Sequence, residues 1–275
     1  MMRTQTEIHE HMSGEGLTIT KMPGHWLLAR MGKRVLRPGG LELTQRMLAA
    51  LAIGPSDAVV EFAPGLGVTT QLALKHNPAV YTGIERDEAA AASVRNFLTD
   101  PRHRCLVGTA ESTGLDDQTA TVIYGEAMLT MHTPAQKARI VREAYRVLQP
   151  GGRYGIHELS LTPDDLGDTA KDTVLRDLSA AIHVGARPLT STEWRTLLEA
   201  EGFQVQFEAH APMHLLEPQR MLQDEGLGRA LRIVFNLVRN GAARKRVVAM
   251  RQVFRKHQAN LGAITLVAVK PLERN

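Results

Sequence analysis

The sequence predicts an α/β protein built on a mainly parallel sheet with helices on both faces. Short β-rich runs alternate with helical runs from Ala58 to Phe207, the pattern of parallel strands joined by crossover helices. The first of these runs, Val59-Val60-Glu61-Phe62, enters a Pro-Gly-x-Gly turn, Pro64 to Gly67, that leads into a helical pattern. Glycines there let the backbone take positive φ and approach a ligand, and the helix start beyond them offers unpaired N–H groups. A second β-rich run, Ala79 to Ile84, is closed by Glu85. That acid stands about 20 residues past the loop, where Rossmann-type folds hold ribose hydroxyls.

Bulk properties set the outer bounds. The chain has 275 residues, 43% hydrophobic and 23% charged, which suits one domain with a sizeable core or a domain plus a cap. The single Cys105 excludes disulfides within the chain, a cysteine-rich metal site and chemistry that needs several thiols. No run approaches the length of a membrane-spanning segment and the first residues are polar, so the expectation is a soluble, cytoplasmic protein.

Each element follows from local pattern. Residues 1–24 read as a polar arm punctuated by Gly14, Gly16, Pro23 and Gly24. His25 to Leu36 has helical spacing, Arg37-Pro38-Gly39-Gly40 breaks it, and Leu41 to Leu51 forms a second helix before the first strand. After the second strand comes an alanine-rich helix, Asp87 to Leu98, with Asp87 as N-cap. The third strand, Arg104 to Val107, carries Cys105 as a small core residue. The fourth, Ala120 to Tyr124, ends at Gly125-Glu126; the helix Pro134 to Leu148 returns to the fifth, Arg153 to Leu159. Thr162-Pro163-Asp164-Asp165 reads as the start of a helix running to Ile182, and Ser191 to Ala200 as a capped helix before a strand from Gly202 to Phe207. The last strand is Ala263 to Val269.

Several of these stretches are similar to the class I S-adenosylmethionine-dependent methyltransferases. Glu61-Phe62-Ala63-Pro64-Gly65-Leu66-Gly67 resembles their acid-x-G-x-G-x-G motif, and Glu85 resembles their ribose-binding acid. Gly108-Thr109-Ala110-Glu111 resembles the loop flanking adenine in the branch that contains ubiquinone and menaquinone methyltransferases. Arg146 to Gly152 and the Glu199, Gly202, Phe203, Val205 pattern resemble the same branch. The likeness covers roughly residues 41–210, with Ala63 in place of a glycine and Thr109 in place of an aspartate. It implies a Rossmann-like, seven-stranded sheet whose last strand inserts antiparallel, and S-adenosylmethionine as cofactor with S-adenosylhomocysteine as product. It places Glu61, Ala63, Gly65 and Gly67 on the methionine part, Glu85 on the ribose, and Thr109, Ala110 and Glu111 on the adenine. A nicotinamide enzyme fits less well: three residues past Gly67 stands Thr70 rather than a third glycine, and no Tyr-x-x-x-Lys pair is evident.

The implied domains are an arm and cap helices over residues 1–56, a cofactor-binding core over 57–210 with a substrate-covering segment near 161–190, a helical insert over 211–260, and a last strand and tail over 261–275. Methyl transfer from a sulfonium is an in-line displacement that needs alignment first and a base only when the acceptor carries a proton. His157 and Glu126 are the candidates for catalysis; Glu158 and His132 are candidates for substrate contact. Neighbouring strand residues point to opposite faces, so His157 and Glu158 are not expected to act as a pair. No metal ligand set is expected. The stretch Arg37-Pro38-Gly39-Gly40 with Thr44 reads equally as a helix-breaking turn or as part of the site's closure.

The insert carries two apolar stripes, Leu227, Leu231, Val234, Val238 and Ala243, Val247, Met250, Phe254, each at helical spacing. From Gly226 to His257 there are seven arginines and two lysines and no acid, while the rest of the chain sums to 24 − 29 = −5. Two amphipathic helices packed over a small-molecule pocket or against a second copy in a homodimer are one reading of residues 226–257. An anionic membrane surface that brings a lipid or quinone acceptor is another. Nucleic acid fits less well, because only 4% of residues are aromatic. A cofactor-binding protein without turnover is the alternative from a different class.

Overall fold

The structure, a computed structural model, describes residues 18–272; most of the polar arm expected over residues 1–24 lies outside the described residues. The strands are β1 (Ala58–Phe62), β2 (Val80–Glu85), β3 (His103–Val107), β4 (Ala120–Glu126), β5 (Leu148–Leu161), β6 (Leu189–Thr190), β7 (Gln204–Pro212) and β8 (Leu261–Val269). They form one sheet in the order β3-β2-β1-β4-β5-β8-β7, with β6 paired to the end of β5. The short β6 makes the sheet eight-stranded rather than seven. β8 runs antiparallel to β5 and β7, and every other pairing is parallel. Strand order reverses between β1 and β4, and in an open α/β sheet a ligand lies outside the carboxyl ends of the strands at that point.

The helices are α1 (Gly24–Arg30), α2 (Gly40–Leu51), α3 (Val68–Leu74), α4 (Glu88–Arg95), α5 (Pro134–Val147), α6 (Asp168–Ile182), α7 (Ser191–Ala200), α8 (Pro218–Arg239) and α9 (Gly241–Lys256). Capping chemistry starts several of them: Asp87 accepts from the N–H of Ala90, and Thr133 with Gln136 and Thr190 with Glu193 form reciprocal capping boxes on α5 and α7. Ile140 and Val141 of α5 and Trp194 and Leu198 of α7 pack with Tyr154 and Ile156 on one face of the sheet. Met47 and Leu51 of α2 and Ala73 of α3 pack with Val122 and Tyr124 on the other. A third cluster is the cap: Leu27 and Leu28 of α1, Leu178 of α6 and Val247 and Met250 of α9 close over Leu159 and Leu161.

Two expectations are corrected. Thr162 to Asp165 does not begin the helix; α6 starts at Asp168. The Asp164 carboxylate instead accepts from the N–H of Thr192 at 3.2 Å and its hydroxyl at 2.9 Å, at the start of α7. The stripe Leu227, Leu231, Val234, Val238 faces solvent, with exposures of 66, 61, 51 and 63%. The second stripe, Ala243, Val247, Met250 and Phe254, is buried.

Polar anchors set the rotation of α8. At its kink, where Gly226 has φ 74° and ψ 164°, Glu225 Oε1 accepts from the N–H groups of Arg34 and Val35, both at 2.8 Å. Asp224 accepts from the N–H of Leu41 at 3.0 Å, so close to Gly40 that a Cβ there would stand 2.6 Å from the carboxylate. Past the kink, Asn236 donates to the Met31 carbonyl at 3.0 Å and Ile233 packs at Gly32. These contacts turn the Ile233 and Asn236 face inward and leave the longer aliphatic stripe outside. The Lys33 ammonium lies 3.6 Å from Glu225, both side chains 1% exposed; burial lowers its pKa, and Glu225 offsets that only in part.

Removing one partner of a buried ion pair leaves the other charge uncompensated, at about 3–5 kcal/mol. Glu225→Ala is therefore expected to lower stability by roughly that amount, and Glu225→Gln, which keeps the acceptor, by less. Urea denaturation reads both, and an unchanged midpoint for the alanine variant would mean that this anchor holds nothing.

Candidate functional site

The loops after β1, β2, β3 and β4 surround a cavity of about 430 Å³ at the carboxyl ends of the strands, roofed by α1, α6, α9 and the segment around Met213. The first loop turns through three left-handed steps, Ala63 at φ 53°, Gly65 at 54° and Gly67 at 67°. Alanine in that region costs roughly 1–2 kcal/mol, so the loop keeps its geometry where a glycine is replaced. Gly67 is fixed twice over, because a Cβ there would stand 2.2 Å from the Phe97 ring. Glu85, at the end of β2, accepts from the N–H of Gly65 at 2.9 Å and of Asp87 at 3.0 Å. A carboxylate offers about four lone-pair sites, so this one fastens the glycine loop and still has capacity for hydroxyl donors in the cavity it lines.

Two buried acids stand behind the loop. Glu61 is 3% exposed, and its Oε2 accepts from Thr70 and Tyr81 hydroxyls, both at 2.6 Å. Glu126, ending β4, accepts from Thr44 at 2.6 Å and from Thr69, and faces His157 Nδ1 at 2.7 Å. Arg37 Nε is 3.3 Å from the same carboxylate and 2.5 Å from the Thr44 hydroxyl oxygen. Burial would push the Glu126 carboxyl up; the Arg37 charge, His157 and Thr44 outweigh it and hold the group at about 2. Among the described residues Arg37 Nη2 is buried without a hydrogen-bond partner, and the residue lines the cavity.

The structure brings Glu61, Ala63, Gly65, Glu85, Thr109, Ala110, Glu111, Glu126 and His132 to the cavity wall. Gly67 lies behind that wall and acts through the turn. The Glu111 carboxylate points to α5, where Gln136 and Arg139 donate to it at 3.1 and 2.7 Å. His132 lines the cavity with Nδ1 at 2.9 Å from the Met128 carbonyl.

His157 and Glu158 are corrections. His157 is fully buried, with Nδ1 on Glu126 and Nε2 2.6 Å from the Pro38 carbonyl, so neither nitrogen is presented to a substrate. Glu158, also fully buried, accepts from the N–H groups of Met128, Leu129 and Thr130 and from the Thr130 hydroxyl. It shapes the loop after β4 and does not line the cavity. Cys105 is buried, and burial pushes its thiol up to about 12, which suits the core role expected for it.

His25, Trp26, Thr69 and Arg86, which sequence reasoning did not place at the site, complete the wall, together with Met250 and Phe254 from the second apolar stripe on α9. Burial, aided by the nearby Arg86 charge, lowers His25 to about 4. The local pattern contained a signal for α9, the second apolar stripe, and for Arg37, the glycine-rich break. It contained none for His25.

Comparison with known proteins bears on the family and the fold. Residues 60–156 match a methyltransferase domain family. An uncharacterized protein of Haemophilus influenzae is 31% identical over 221 residues, covering 78% of this chain and 86% of its relative. The 27-O-demethylrifamycin SV methyltransferase of Amycolatopsis mediterranei is 25% identical over 142 residues, 51% of this chain and 52% of that one. Among solved structures, a phosphoethanolamine N-methyltransferase of Haemonchus contortus in complex with S-adenosylhomocysteine has a TM-score of 0.69 at 14% identity, covering 96% of this chain and 60% of that one. With the β3-β2-β1-β4-β5-β8-β7 sheet and the glycine loop at its switch point, these matches place the chain in one family: it belongs to the class I S-adenosylmethionine-dependent methyltransferases.

Proposed function

We propose that this chain moves a methyl group from S-adenosylmethionine to a small hydrophobic or aromatic acceptor. One observation carries the reading: the cavity has a polar wall at the strand ends and an apolar roof of Trp26, Leu178, Ile182, Met213, Met250 and Phe254. The polar wall suits the cofactor. Glu85 has lone pairs for ribose hydroxyls, Gly65 allows close approach, and the unpartnered Arg37 Nη2 suits a carboxylate. When bound, the cofactor supplies a methyl group on an already activated sulfonium. The apolar roof suits an acceptor without charge, and a curated relative is named for methylating 27-O-demethylrifamycin SV.

The chain's own residues then bind, align and exclude water. Holding two reactants in line is worth on the order of 7–11 kcal/mol in favourable cases, enough to make a base optional. His157 and Glu158 are sealed away, which leaves His132 and His25 as the imidazoles on the cavity wall. His25, lowered by burial to about 4, is neutral at physiological pH and can accept a hydrogen bond, but it is a weak base. Oxygen, nitrogen, sulfur and carbon acceptors are all compatible with such a cavity. A lipid or quinone acceptor is the second reading, favoured by the apolar stripe on the outer side of the cap.

Calorimetric titration with S-adenosylhomocysteine, with NADH as the comparison, tests the cofactor; binding of the first alone is expected, and binding of neither would leave the family's site degenerate here. Glu85→Ala is expected to weaken that binding at least about tenfold, and unchanged affinity would remove Glu85 from the ribose. Methyl transfer to hydrophobic phenols, quinones and thiols then separates a catalyst from a cofactor-binding protein without turnover.

Glu61 generates a pH prediction. Burial raises it from the ordinary 4.5 to about 7, against the hydrogen bonds from Thr70 and Tyr81. Between those values the folded chain keeps a proton that the unfolded chain has released, so stability falls as pH rises through the window and levels off above it. Glu61→Gln removes that fall. The variant is expected to gain on the wild type by on the order of 3 kcal/mol between pH about 5 and about 8. Urea denaturation at both ends of the window reads it, and a constant difference would overturn the buried-acid account.

A further inference from the structure

We propose that the outer face of α8, with the first turns of α9, docks on an anionic membrane surface. The inference stands apart from the identity of the acceptor. After the Gly226 kink, Leu227, Leu231, Val234, Phe235 and Val238 recur at i, i+4, i+7, i+8 and i+11, which is one face of a helix. All five are more than half exposed, Val234 least at 51% and Leu227 most at 66%. Scattered exposed aliphatics need no explanation, but a contiguous stripe with a polar border marks an interaction site. Arg232 and Arg239, seven residues apart, run alongside the stripe, and the Arg239 guanidinium lies 5.4 Å over the Phe235 ring. Just beyond the Asn240 turn, Arg244, Lys245 and Val248 share one exposed side of α9.

The charges on this face differ from those elsewhere on the hairpin. Arg251 and Arg255 pair with Glu217, Lys256 pairs with Asp177, and Arg246 donates to the carbonyls of Ile19 and Met22. Among the described residues, no carboxylate stands within 4.0 Å of Arg232, Arg239, Arg244 or Lys245. Arg251, Arg255 and Lys256 are thus ion-paired, and the cations bordering the stripe are not.

An occupant has to satisfy both features. A second copy packed about a two-fold axis would lay this cation row against itself, with no acid between Gly226 and His257 to relieve it. Nucleic acid would neutralise the row but leave five large apolar side chains against phosphate and water. A bilayer with anionic headgroups takes the apolar stripe into the acyl boundary and the cations at headgroup level. Among the described residues no helix is long and apolar enough to cross a membrane, so the contact is one of lying on the surface.

The test is co-sedimentation of the full chain with vesicles of phosphatidylcholine alone and of phosphatidylcholine mixed equally with phosphatidylglycerol. Binding to the mixed vesicles, weakened by high salt, and none to the neutral ones is expected. Leu231→Asp with Phe235→Asp should lower partitioning by about tenfold or more, and so should Arg232→Glu with Arg239→Glu. The four side chains are exposed, so the thermal midpoint should stay within a few degrees of wild type and show that lost binding is not lost fold. No sedimentation with anionic vesicles, or equal binding by both variants, would overturn the proposal. So would a wild-type dimer in velocity sedimentation that either variant dissolves, or RNA binding tighter than vesicle binding under the same conditions.

Discussion

The buried carboxylate of Glu126 is the constraint on which the site depends. Moving an ion out of water costs several kcal/mol, and the cost is met only when every lone pair finds a donor. Here the donors come from distant parts of the chain: Thr44 from α2, Thr69 from α3, His157 from the middle of β5, with Arg37 from the loop before α2. Because Arg37, His157 and Thr44 outweigh burial and hold the acid at about 2, it is ionised at every physiological pH. The cap loop, the glycine-loop helix and the central strands must therefore assemble together.

The same constraint explains the glycine-rich break before α2. The Pro38 carbonyl accepts the contact of His157 Nε2, so the chain must pass close over β5 and then turn at once into a helix. Gly39 and Gly40 make that turn with φ of 70° and 63°. A Cβ on Gly39 would stand 2.9 Å from Ala263 of β8 and 2.8 Å from Leu43. What the sequence left open between a helix-breaking turn and closure of the site is both, since the turn carries Arg37 to the cavity wall.

Much of the core was legible because its signals are local. Alternation of strands and helices, a Pro-Gly-x-Gly turn and an acid closing the second strand each follow from periodicity and turn chemistry within a few residues. The bonding of His157 was not legible. Strand geometry gives the opposite directions of His157 and Glu158, but not that Pro38, 119 residues away in sequence, seals one and the amides of residues 128–130 the other. Nor could the stripe on α8 reveal its surroundings. Helical spacing says that one face is apolar; whether that face meets protein is decided by Asp224, Glu225 and Asn236, whose partners lie some 180 to 210 residues earlier.

The two helices of the hairpin consequently present apolar stripes in opposite directions. α9 turns Met250 and Phe254 to the cavity, while α8 turns Leu231 and Phe235 outward and uses polar groups for its inner contacts. An ordinary cap helix would bury the longer aliphatic row, and a rotation of α8 would do so here at the expense of the anchors at Glu225 and Asn236. Those anchors bind the stretch from Met31 to the start of α2, the same stretch that carries Arg37 to Glu126. Orientation of α8 and closure of the cavity wall are thus set by one stretch of chain. The exposed row is the consequence of fixing that stretch with buried charges rather than with aliphatic packing.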